Sequence, residues 1–367
     1  MIYSVLGIGA VTTAALICTG TCSLHKKKAT TDAAVASATS CIFCQKSETN
    51  KRSVVDSQKF GETKYVRTLL DTIPMLPGHA LLTTAQHKVR ANELSDEEVL
   101  AEHEALKQTV AMYKTKYNAE NYLILQKNGR PAGQSVPHYH KHVYPIASKA
   151  MLRRANWNFA VKFFTFGLCS TKLQGQKLSK LQSELTPMIH LTDEVQLPAK
   201  TRHVTKKKEG DVKSSSVTKT TAVVSCALCP VLKSDVSAPL PLVEIVVQAK
   251  QIGPGHVIIK TTRHVEKAHE RTPEEVLACH KALQKVVRAY QTVFATSDYV
   301  QMQENGAASG QKSPHFYTHL YAVPKTKHEY LRQMEALVKY SFPSTQSTAS
   351  AKPGSLQDKF VKALTAE

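Results

Sequence analysis

Three histidines alternate along one short stretch of the chain, which reads Pro-His-Tyr-His-Lys-His-Val-Tyr over residues 137–144. Side chains in an extended strand repeat every second residue, so His138, His140 and His142 would share one face. A neutral imidazole can attack phosphorus or carbon as a nucleophile, and it can also bind a metal. The stretch therefore predicts a reactive site on one face of a strand.

The same stretch recurs 177 residues later, from His138 to His315, and reads Pro-His-Phe-Tyr-Thr-His-Leu-Tyr over residues 314–321. The outer histidines are kept as His315 and His319, whereas Tyr317 stands at the position of His140. A phenol has an unperturbed pKa of about 10, so it is a poor nucleophile and metal ligand at neutral pH. The chain is therefore interpreted as a working first copy and an altered second copy of one module.

Each copy opens with a Cys-x-x-Cys pair that can combine with two histidines of the same copy. Two thiolates and two imidazoles form a tetrahedral zinc set, and a closed set of four ligands is structural rather than catalytic. We therefore predict one structural zinc per copy, with a redox pair or plain core cysteines as the alternatives. The expected ligands are Cys41, Cys44, His87 and His138 in the first copy and Cys226, Cys229, His264 and His315 in the second.

The internal repeat extends well beyond the histidines and sets the domain organisation. Pro-Gly-His at 77–79 returns at 254–256, Glu-Glu-Val-Leu-Ala at 97–101 returns at 274–278, and Asn-Gly at 128–129 returns at 305–306. A chain of 367 residues is long enough for two domains. The predicted divisions are an anchor or signal at 1–30, a first domain at 36–168, a basic flexible linker at 169–221, a second domain at 222–343 and a tail at 344–367.

Each copy has the pattern of a small α+β domain. Ser95 and Thr272 are predicted helix N-caps, each followed by glutamate at the third helical position, and apolar residues at helical spacing come next. Short apolar stretches on both sides of this helix predict the order strand, strand, helix, strand, strand in an antiparallel sheet. A further helix is expected after each copy, at 150–166 and 329–341. The two domains are expected to pack as an intramolecular pseudodimer.

The first 24 residues have a composition of their own. Residues 2–24 carry no charged side chain and are mostly apolar, and Lys26 to Lys28 follow. That length could span a bilayer, and the lysines after it would keep the rest of the chain in the cytoplasm. We predict an N-terminal membrane-anchor helix with cytoplasmic domains. Secretion after cleavage of a signal peptide is the alternative, although such peptides normally carry positive charge before the apolar stretch.

The charge balance favours anionic partners. The chain has 48 Lys and Arg against 29 Asp and Glu, a formal net charge of +19. Nucleotides, nucleic acid and an acidic lipid surface all fit such a balance. Much of the excess lies at 26–28 and 200–219, outside the repeated blocks, where solvated linkers are an equal interpretation. Nucleic acid is a possible partner without support from any basic motif interleaved with aromatic residues.

The histidine stretch, together with Asn-Gly at 128–129 and Gly-Gln-Ser at 133–135, resembles the signature of the histidine triad (HIT) family. The resemblance covers about 41–145, and a degenerate version covers 226–324. It implies two HIT-like α+β domains that bind nucleotides and transfer or hydrolyse nucleoside phosphoryl groups through a nucleotidyl-histidine intermediate. A purine nucleotide or dinucleotide is the implied substrate. The alternatives are a zinc-stabilised nucleotide sensor or scaffold at a membrane, without catalysis, and a nucleic-acid end-processing enzyme.

The resemblance also implies roles for single residues of the first copy. His140 would be the nucleophile on the α-phosphorus, with His142 holding a phosphate oxygen or orienting the site. Donors beside a phosphate stabilise negative charge as it develops. Asp71 falls where such proteins often place a carboxylate on the ribose hydroxyls. The implied catalytic residues are His138, His140 and His142, and the implied nucleotide contacts are Asp71, Asn128, Gln134 and Ser135.

The second copy departs from this pattern at each of the main chemical positions. Tyr317, Lys312 and Gln248 stand where the first copy has His140, Ser135 and Asp71. The second copy is therefore expected to be a structural partner, with nucleotide binding without turnover as the alternative. The histidines at 79, 103, 256 and 280 also repeat, and their positions suit packing better than chemistry.

Overall fold

The computed structural model describes residues 41–44, 56, 58–164, 172–198, 237–325, 347–348 and 353–366. The predicted anchor at 1–30, the predicted helix at 329–341 and the stretch 199–221 of the predicted linker lie outside these residues. Among the described residues, no helix combines the length and the apolar character that crossing a membrane requires.

The first copy is a five-stranded antiparallel unit with one long helix, which has one strand more than the sequence predicts. Two further helices follow it along the chain. The elements are β1 (Lys59–Glu62), β2 (Val66–Leu70), β3 (Ala80–Thr84), α1 (Asp96–Tyr117), β4 (Asn121–Asn128), β5 (His140–Ile146), α2 (Lys149–Phe164) and α3 (Gln176–Leu185).

The second copy repeats the same order of five strands and one long helix. A separate two-stranded sheet and a final helix accompany it. The elements are β6 (Ser237–Leu240), β7 (Val243–Val247), β8 (Lys250–Gln251), β9 (Val257–Thr261), α4 (Pro273–Phe294), β10 (Tyr299–Asn305), β11 (Tyr317–Ala322), β12 (Ser347–Thr348) and α5 (Leu356–Thr365).

The two copies share one ten-stranded antiparallel sheet in the order β1-β2-β3-β5-β4-β10-β11-β9-β7-β6. Strands β4 and β10 pair at its centre, with Asn128 opposite Tyr299 and Tyr122 opposite Asn305. Tyr122 and Tyr299 are themselves related by the repeat, as are Asn128 and Asn305, so the register is pseudo-twofold. The copies thus form the predicted intramolecular pseudodimer, and the α+β class is confirmed.

Helices α1 and α4 pack side by side against one face of this sheet, called the helix face below. Ser95 and Thr272 close full capping boxes at their starts, as predicted. His103 Nε2 lies 3.1 Å from the carbonyl oxygen of Arg271, and His280 Nε2 lies 3.1 Å from that of Leu94. These two repeated histidines therefore link each helix to the opposite copy, which is a packing role.

Two segments differ from the predicted domain limits. Helix α3 lies inside the predicted flexible linker, yet Leu178 and Leu185 are buried and Gln182 Nε2 donates to the carbonyl oxygens of Asp56 and Lys59. Helix α5 lies inside the predicted tail, where Phe360 is fully buried against the second copy. Both helices are amphipathic and bury their apolar residues against the domains. Their largely polar composition was the reason for predicting a linker and a tail.

Candidate active site and metal centre

A glycine loop, residues 129–135, leads from β4 to the histidine strand. Gly129 and Gly133 have φ of 92° and 85°, which favours glycine at both positions. The buried Gln134 side chain accepts a hydrogen bond from Gly129 N–H (2.6 Å) and donates to the carbonyl oxygens of Val89 (2.9 Å) and His138 (3.1 Å). Gln134 therefore fixes the loop through its side chain, and the exposed Ser135 beside it is left at the surface.

His140 begins β5 on the sheet face opposite α1 and α4, called the site face, where α2 packs through Ala155 on Leu125 and Tyr144. Its Nδ1 lies 2.7 Å from the carbonyl oxygen of His138, so Nδ1–H donates to that oxygen and Nε2 carries the lone pair. Burial lowers the pKa of His140 below its ordinary value. The imidazole is therefore neutral at pH 7, which is the form that acts as a nucleophile.

His142 lies in a row of polar groups on the site face with His79 and Asp71. Its Nδ1 lies 2.9 Å from His79 Nε2, and His79 Nδ1 lies 3.3 Å from Asp71 Oδ2. Burial, and then the neighbouring charge of His79, hold the pKa of His142 well below its ordinary value. The sequence analysis assigned His79 to packing and missed this contact, although its repeat in the Pro-Gly-His motif was a signal. The ribose role of Asp71 stays a prediction.

Asn128 does not point to the site, contrary to its predicted phosphate role. The residue is fully buried, and its Oδ1 accepts a hydrogen bond from Ala91 N–H (2.9 Å). Asn305 makes the same bond to Ala268 in the second copy (2.8 Å). Alternation along β4 explains the error, because it turns Asn128 away from the site and Lys127 towards it.

Lys127 is a residue of the site that the sequence analysis did not identify. In the β4–β5 pairing Leu125 lies opposite His142, so Lys127, two residues further, shares the site face beside His140. Its positive charge adds to the burial that lowers the pKa of His140. Glu304 stands at the same position of the second copy, and this reversal of charge was visible in the sequence.

The four predicted metal ligands of the first copy converge. Their donor atoms all lie within 4.8 Å of one another. Cys44 Sγ is 3.3 Å from both His87 Nδ1 and His138 Nδ1, and Cys41 Sγ is 3.4 Å from His138 Nδ1. Sulfur and nitrogen ligands on a tetrahedral zinc would be about 3.5 Å apart, given the usual bond lengths. The donor set therefore fits such an ion.

The surroundings of these ligands fit a metal as well. His138 Nε2 lies 3.0 Å from the carbonyl oxygen of Thr84, which orients the ring with Nδ1 towards the thiols. Both ring nitrogens of His138 thereby have neighbours, which suits its predicted role as a metal ligand, and its predicted place in the catalytic set stays a prediction. Burial and the adjacent Cys41 raise the pKa of Cys44 to about 11, so a bound cation would be needed to form its thiolate at pH 7.

The metal centre is in contact with the site. Phe43, between the two cysteines, has its ring centroid 5.5 Å from that of His138 and 5.7 Å from that of His140. Its carbonyl oxygen accepts a hydrogen bond from Arg67 (3.0 Å), which ties the cysteine segment to β2. A metal at this centre would therefore hold Phe43 against the nucleophile's ring.

The second copy keeps the histidine half of this centre. The rings of His264 and His315 are 5.2 Å apart at 85°, and those of His87 and His138 have the same separation and angle. His315 Nε2 lies 2.8 Å from the carbonyl oxygen of Thr261, matching the contact of His138. The predicted ligands Cys226 and Cys229 lie outside the described residues.

The site face of the second copy is altered around Tyr317. The Tyr317 hydroxyl accepts a hydrogen bond from Lys312 N–H (3.2 Å) and donates to Glu304 Oε2 (3.3 Å). Burial and the Glu304 carboxylate raise the pKa of Tyr317, so the phenol stays neutral. The backbone donor that matches Ser135 N–H is thus taken by a side chain of the same copy.

Lys141, between the two site histidines, does not enter the site. Its ammonium lies 2.5 Å from Glu102 Oε2 on α1, and the Tyr139 hydroxyl donates to the same carboxylate. Both side chains are on the helix face, as strand alternation requires. The unusual lysine in the histidine stretch therefore leaves the site face unchanged.

Comparison with known proteins gives a family match in both copies. The model of the HIT domain matches residues 52–148 and 230–328, which together are more than half of the chain. The adenosine 5'-monophosphoramidase of Schizosaccharomyces pombe is 35% identical over 106 residues, which are 29% of this chain and 74% of that protein. The adenosine 5'-monophosphoramidase of Candida albicans is 30% identical over 155 residues, which are 41% of this chain and 99% of that protein.

Two further similarities are more partial or more distant. The bis(5'-adenosyl)-triphosphatase of Saccharomyces cerevisiae is 31% identical over 93 residues, 25% of this chain and 45% of that protein. The solved structure of an ADP-glucose phosphorylase from Arabidopsis thaliana superposes with a TM-score of 0.50 at 9% identity, covering 82% of each chain, which is a likeness of fold. The two matched regions coincide with the two copies described above. The chain is therefore a member of the HIT family that carries two HIT domains in tandem.

Proposed function

We propose that the first copy hydrolyses or transfers nucleoside phosphoryl groups through a nucleotidyl-His140 intermediate. The observation that carries this proposal is the orientation of His140, whose Nδ1–H is held by the His138 carbonyl oxygen at 2.7 Å. This bond leaves a neutral Nε2 lone pair on the site face. Family membership supports the same class of chemistry.

The first step would form a bond between His140 Nε2 and the α-phosphorus and break the bond from phosphorus to the leaving group. The leaving group departs with the bonding electron pair and takes a proton from solvent. Negative charge grows on the phosphoryl oxygens in this step. Lys127 and the exposed end of the glycine loop at Ser135 are the groups that would stabilise it.

The second step would return the enzyme to its starting state. Water, or an acceptor hydroxyl, attacks the phosphorus, and the bond from phosphorus to His140 breaks. In the tautomer with the His79 proton on Nδ1, 3.3 Å from Asp71 Oδ2, His79 Nε2 would accept the His142 Nδ1–H and leave His142 Nε2 without a proton. This nitrogen would accept the proton of the attacking water, with Asp71 stabilising the resulting charge.

The substrate class follows from the relatives and the charge of the site. Two relatives are named as adenosine 5'-monophosphoramidases and one as a bis(5'-adenosyl)-triphosphatase. We therefore propose an adenine or other purine nucleotide, or a dinucleotide, as substrate. Binding of nucleotide without product would indicate a sensor without turnover. The described residues of the site do not favour nucleic acid as the substrate.

The second copy is proposed to be a partner without catalysis. Tyr317 replaces the nucleophile, and its hydroxyl takes the backbone donor of Lys312. Glu304 places a carboxylate where the first copy has Lys127, which would repel a phosphate. The first change would remove the nucleophile, and the second would weaken the attraction for a phosphate.

We further propose that zinc fills the four-ligand centre of each copy in a structural role. The donor geometry of the first copy and the matching histidine pair of the second support this. When bound, the ion would supply the charge that keeps the thiolates deprotonated. Membrane attachment through residues 1–30 is kept as a proposal for the location of the protein.

The test is intact mass spectrometry of the full chain mixed with adenosine phosphoramidate or diadenosine polyphosphates, with released AMP measured in the same samples. We expect an adenylyl adduct or AMP release that is absent in His140→Ala. Tyr317→Ala, at the matched position of the second copy, is the control and should keep the activity. Binding of nucleotide with neither adduct nor product would reject the enzyme in favour of the sensor.

A further inference from the structure

The second copy places a buried carboxylate against the glycine loop of the first copy. Asp298, just before β10, is 4% exposed and accepts a hydrogen bond from Arg90 Nη2 at 2.7 Å. A Cβ on Gly129 would lie only 1.8 Å from Asp298 Oδ1. The carboxylate therefore packs directly on the residue that opens the loop.

Arg90 connects the same ion pair to the other end of the loop. The residue before it, Val89, accepts a hydrogen bond from the side chain of Gln134 (2.9 Å). That side chain also receives Gly129 N–H (2.6 Å) and donates to the carbonyl oxygen of His138 (3.1 Å). One hydrogen-bond network thus joins both ends of the loop and the start of the histidine strand. The ion pair of Arg90 with Asp298 lies next to this network.

We propose that Asp298 and Arg90 form a positioning pair, through which the second copy holds the glycine loop of the first copy in its reactive conformation. The proposal rests on the function proposed above, because Ser135 and the loop amides matter only if a phosphoryl group binds there. It gives the second copy a role that needs no ligand of its own.

The pseudo-equivalent contact supports this assignment. Asn121 of the first copy packs on Gly306 of the second, and a Cβ on Gly306 would lie 1.8 Å from Asn121 Oδ1. The shape of the contact is therefore the same on both sides. Asn121 carries no charge, so only the contact that supports the intact site is an ion pair.

The difference in chemistry matters because the Asp298 carboxylate is buried, with Arg90 partly exposed beside it. A hydrogen bond between two charged groups is shorter and roughly twice as strong as a neutral one. Loss of Arg90 would leave the buried Asp298 carboxylate without its cation, whereas loss of Asp298 would leave Arg90 with Glu93 at 3.8 Å. Small displacements of groups that contact a reacting phosphoryl group can cost about 10²-fold in rate.

The experiment compares Asp298→Asn, Asp298→Ala and Arg90→Met with the unchanged full chain, using adenosine phosphoramidate as substrate. We expect kcat to fall by about 10- to 100-fold with a smaller change in KM. The double variant Arg90→Met/Asp298→Asn should lose little more than either single variant, because the two residues act as a unit. Arg90→Lys, which keeps the charge, should recover part of the rate.

Hydrogen–deuterium exchange supplies a readout that does not depend on activity. Peptides covering residues 128–138 should exchange faster in the Asp298 variants, while those from α1 should be unchanged. Asn121→Ala is the matched control and should leave kcat unaltered. Equal losses of Tm in Asp298→Asn and Asn121→Ala, with kcat and loop exchange unchanged in both, would overturn the positioning role and leave a purely structural contact.

The two proposals fail in different ways. An unchanged full chain that neither forms an adduct nor releases product would reject the proposed reaction, and the exchange measurement would still test the loop contact. An active full chain whose Asp298→Asn variant keeps its kcat and its loop exchange would reject the positioning pair alone.

Discussion

The two copies keep the same framework and differ on one face of it. Capping boxes, glycine turns, the buried asparagines and the histidine pair of the metal centre are present in both. The main chemical differences fall on the site face, where the first copy has His140 and Lys127 and the second has Tyr317 and Glu304. The comparison teaches that the requirements of folding and those of chemistry lie on different residues of this module.

The charged residues of the two site faces differ as well as the nucleophile. Arg67 of the first copy is replaced by Glu244, which forms an ion pair with Lys260 (3.1 Å). Glu304 meets the Tyr317 hydroxyl. Arg67 is itself paired with Glu62 (2.7 Å), so the change beside His140 that reverses the local charge is the one from Lys127 to Glu304.

Removal of the nucleophile should have the largest effect. We expect His140→Ala to lower the rate of AMP formation by at least about 10⁴-fold, since losing the nucleophile removes the covalent route. Tyr317→His should not create a second active copy, because Glu304 and Gln248 remain there. Turnover by a chain carrying both changes would show that the altered copy had kept a working site.

Reversal of the site charge should come next. Lys127→Glu makes the first copy resemble the second, and we expect kcat/KM to fall by about 10²-fold through lost stabilisation of phosphoryl charge. The kcat/KM of Lys127→Gln should lie between those of the unchanged chain and Lys127→Glu. Higher ionic strength should reduce the differences in kcat/KM among the three chains. Equal activity of all three chains in steady-state assays would remove Lys127 from the site.

Loss of the metal should lower the thermal stability of the protein more than it lowers the reaction rate. Cys41→Ser should reduce the zinc content measured by atomic emission from about two ions per chain to about one. A change of 1 kcal/mol in the free energy of unfolding moves the Tm of a domain of 150–250 residues by about 2–4 °C. We expect the Tm of Cys41→Ser to fall by more than ~5 °C, because metal binding contributes directly to folding. Cys226→Ser is the matched variant, and a zinc content unaffected by both would contradict the metal assignment.

The interface histidines should give the smallest effect, and an equal one from each copy. Burial lowers the pKa of both His103 and His280. Below about pH 6.5 the unfolded chain therefore binds more protons than the folded chain. The free energy of unfolding has its full value above that pH and decreases as the pH falls below it. His103→Gln and His280→Gln should each make Tm less dependent on pH between 7 and 5. A strong difference between them would break the symmetry of the interface.

The sequence was sufficient for the features that repeat or that depend on local spacing. The helix starts at Ser95 and Thr272 are confirmed because a capping box is a local arrangement. The convergence of Cys41, Cys44, His87 and His138 was predictable because zinc requires these donor types together. The alternation rule likewise accounts for Lys141, which lies on the helix face.

Features that depend on exact register or on distant contacts escaped the sequence analysis. Asn128 was assigned to the site from the family resemblance, but strand alternation near the end of β4 turns it away and turns Lys127 towards the site face. His79 was assigned to packing because its partner His142 is 63 residues away. The contact of Asp298 with Gly129 joins the two copies, and nothing in either copy alone indicates it.

The central pairing of β4 with β10 has a consequence for how this protein can change. In a symmetric homodimer each substitution appears twice, once on each side of the twofold axis, so a benefit to one site must be tolerated at the other. Here both halves of the sheet lie in one chain, and a substitution appears once. A carboxylate can face Gly129 while an amide faces Gly306. Covalent fusion thus lets each half change independently of the other, which is what the proposed division into a reacting and a supporting copy requires.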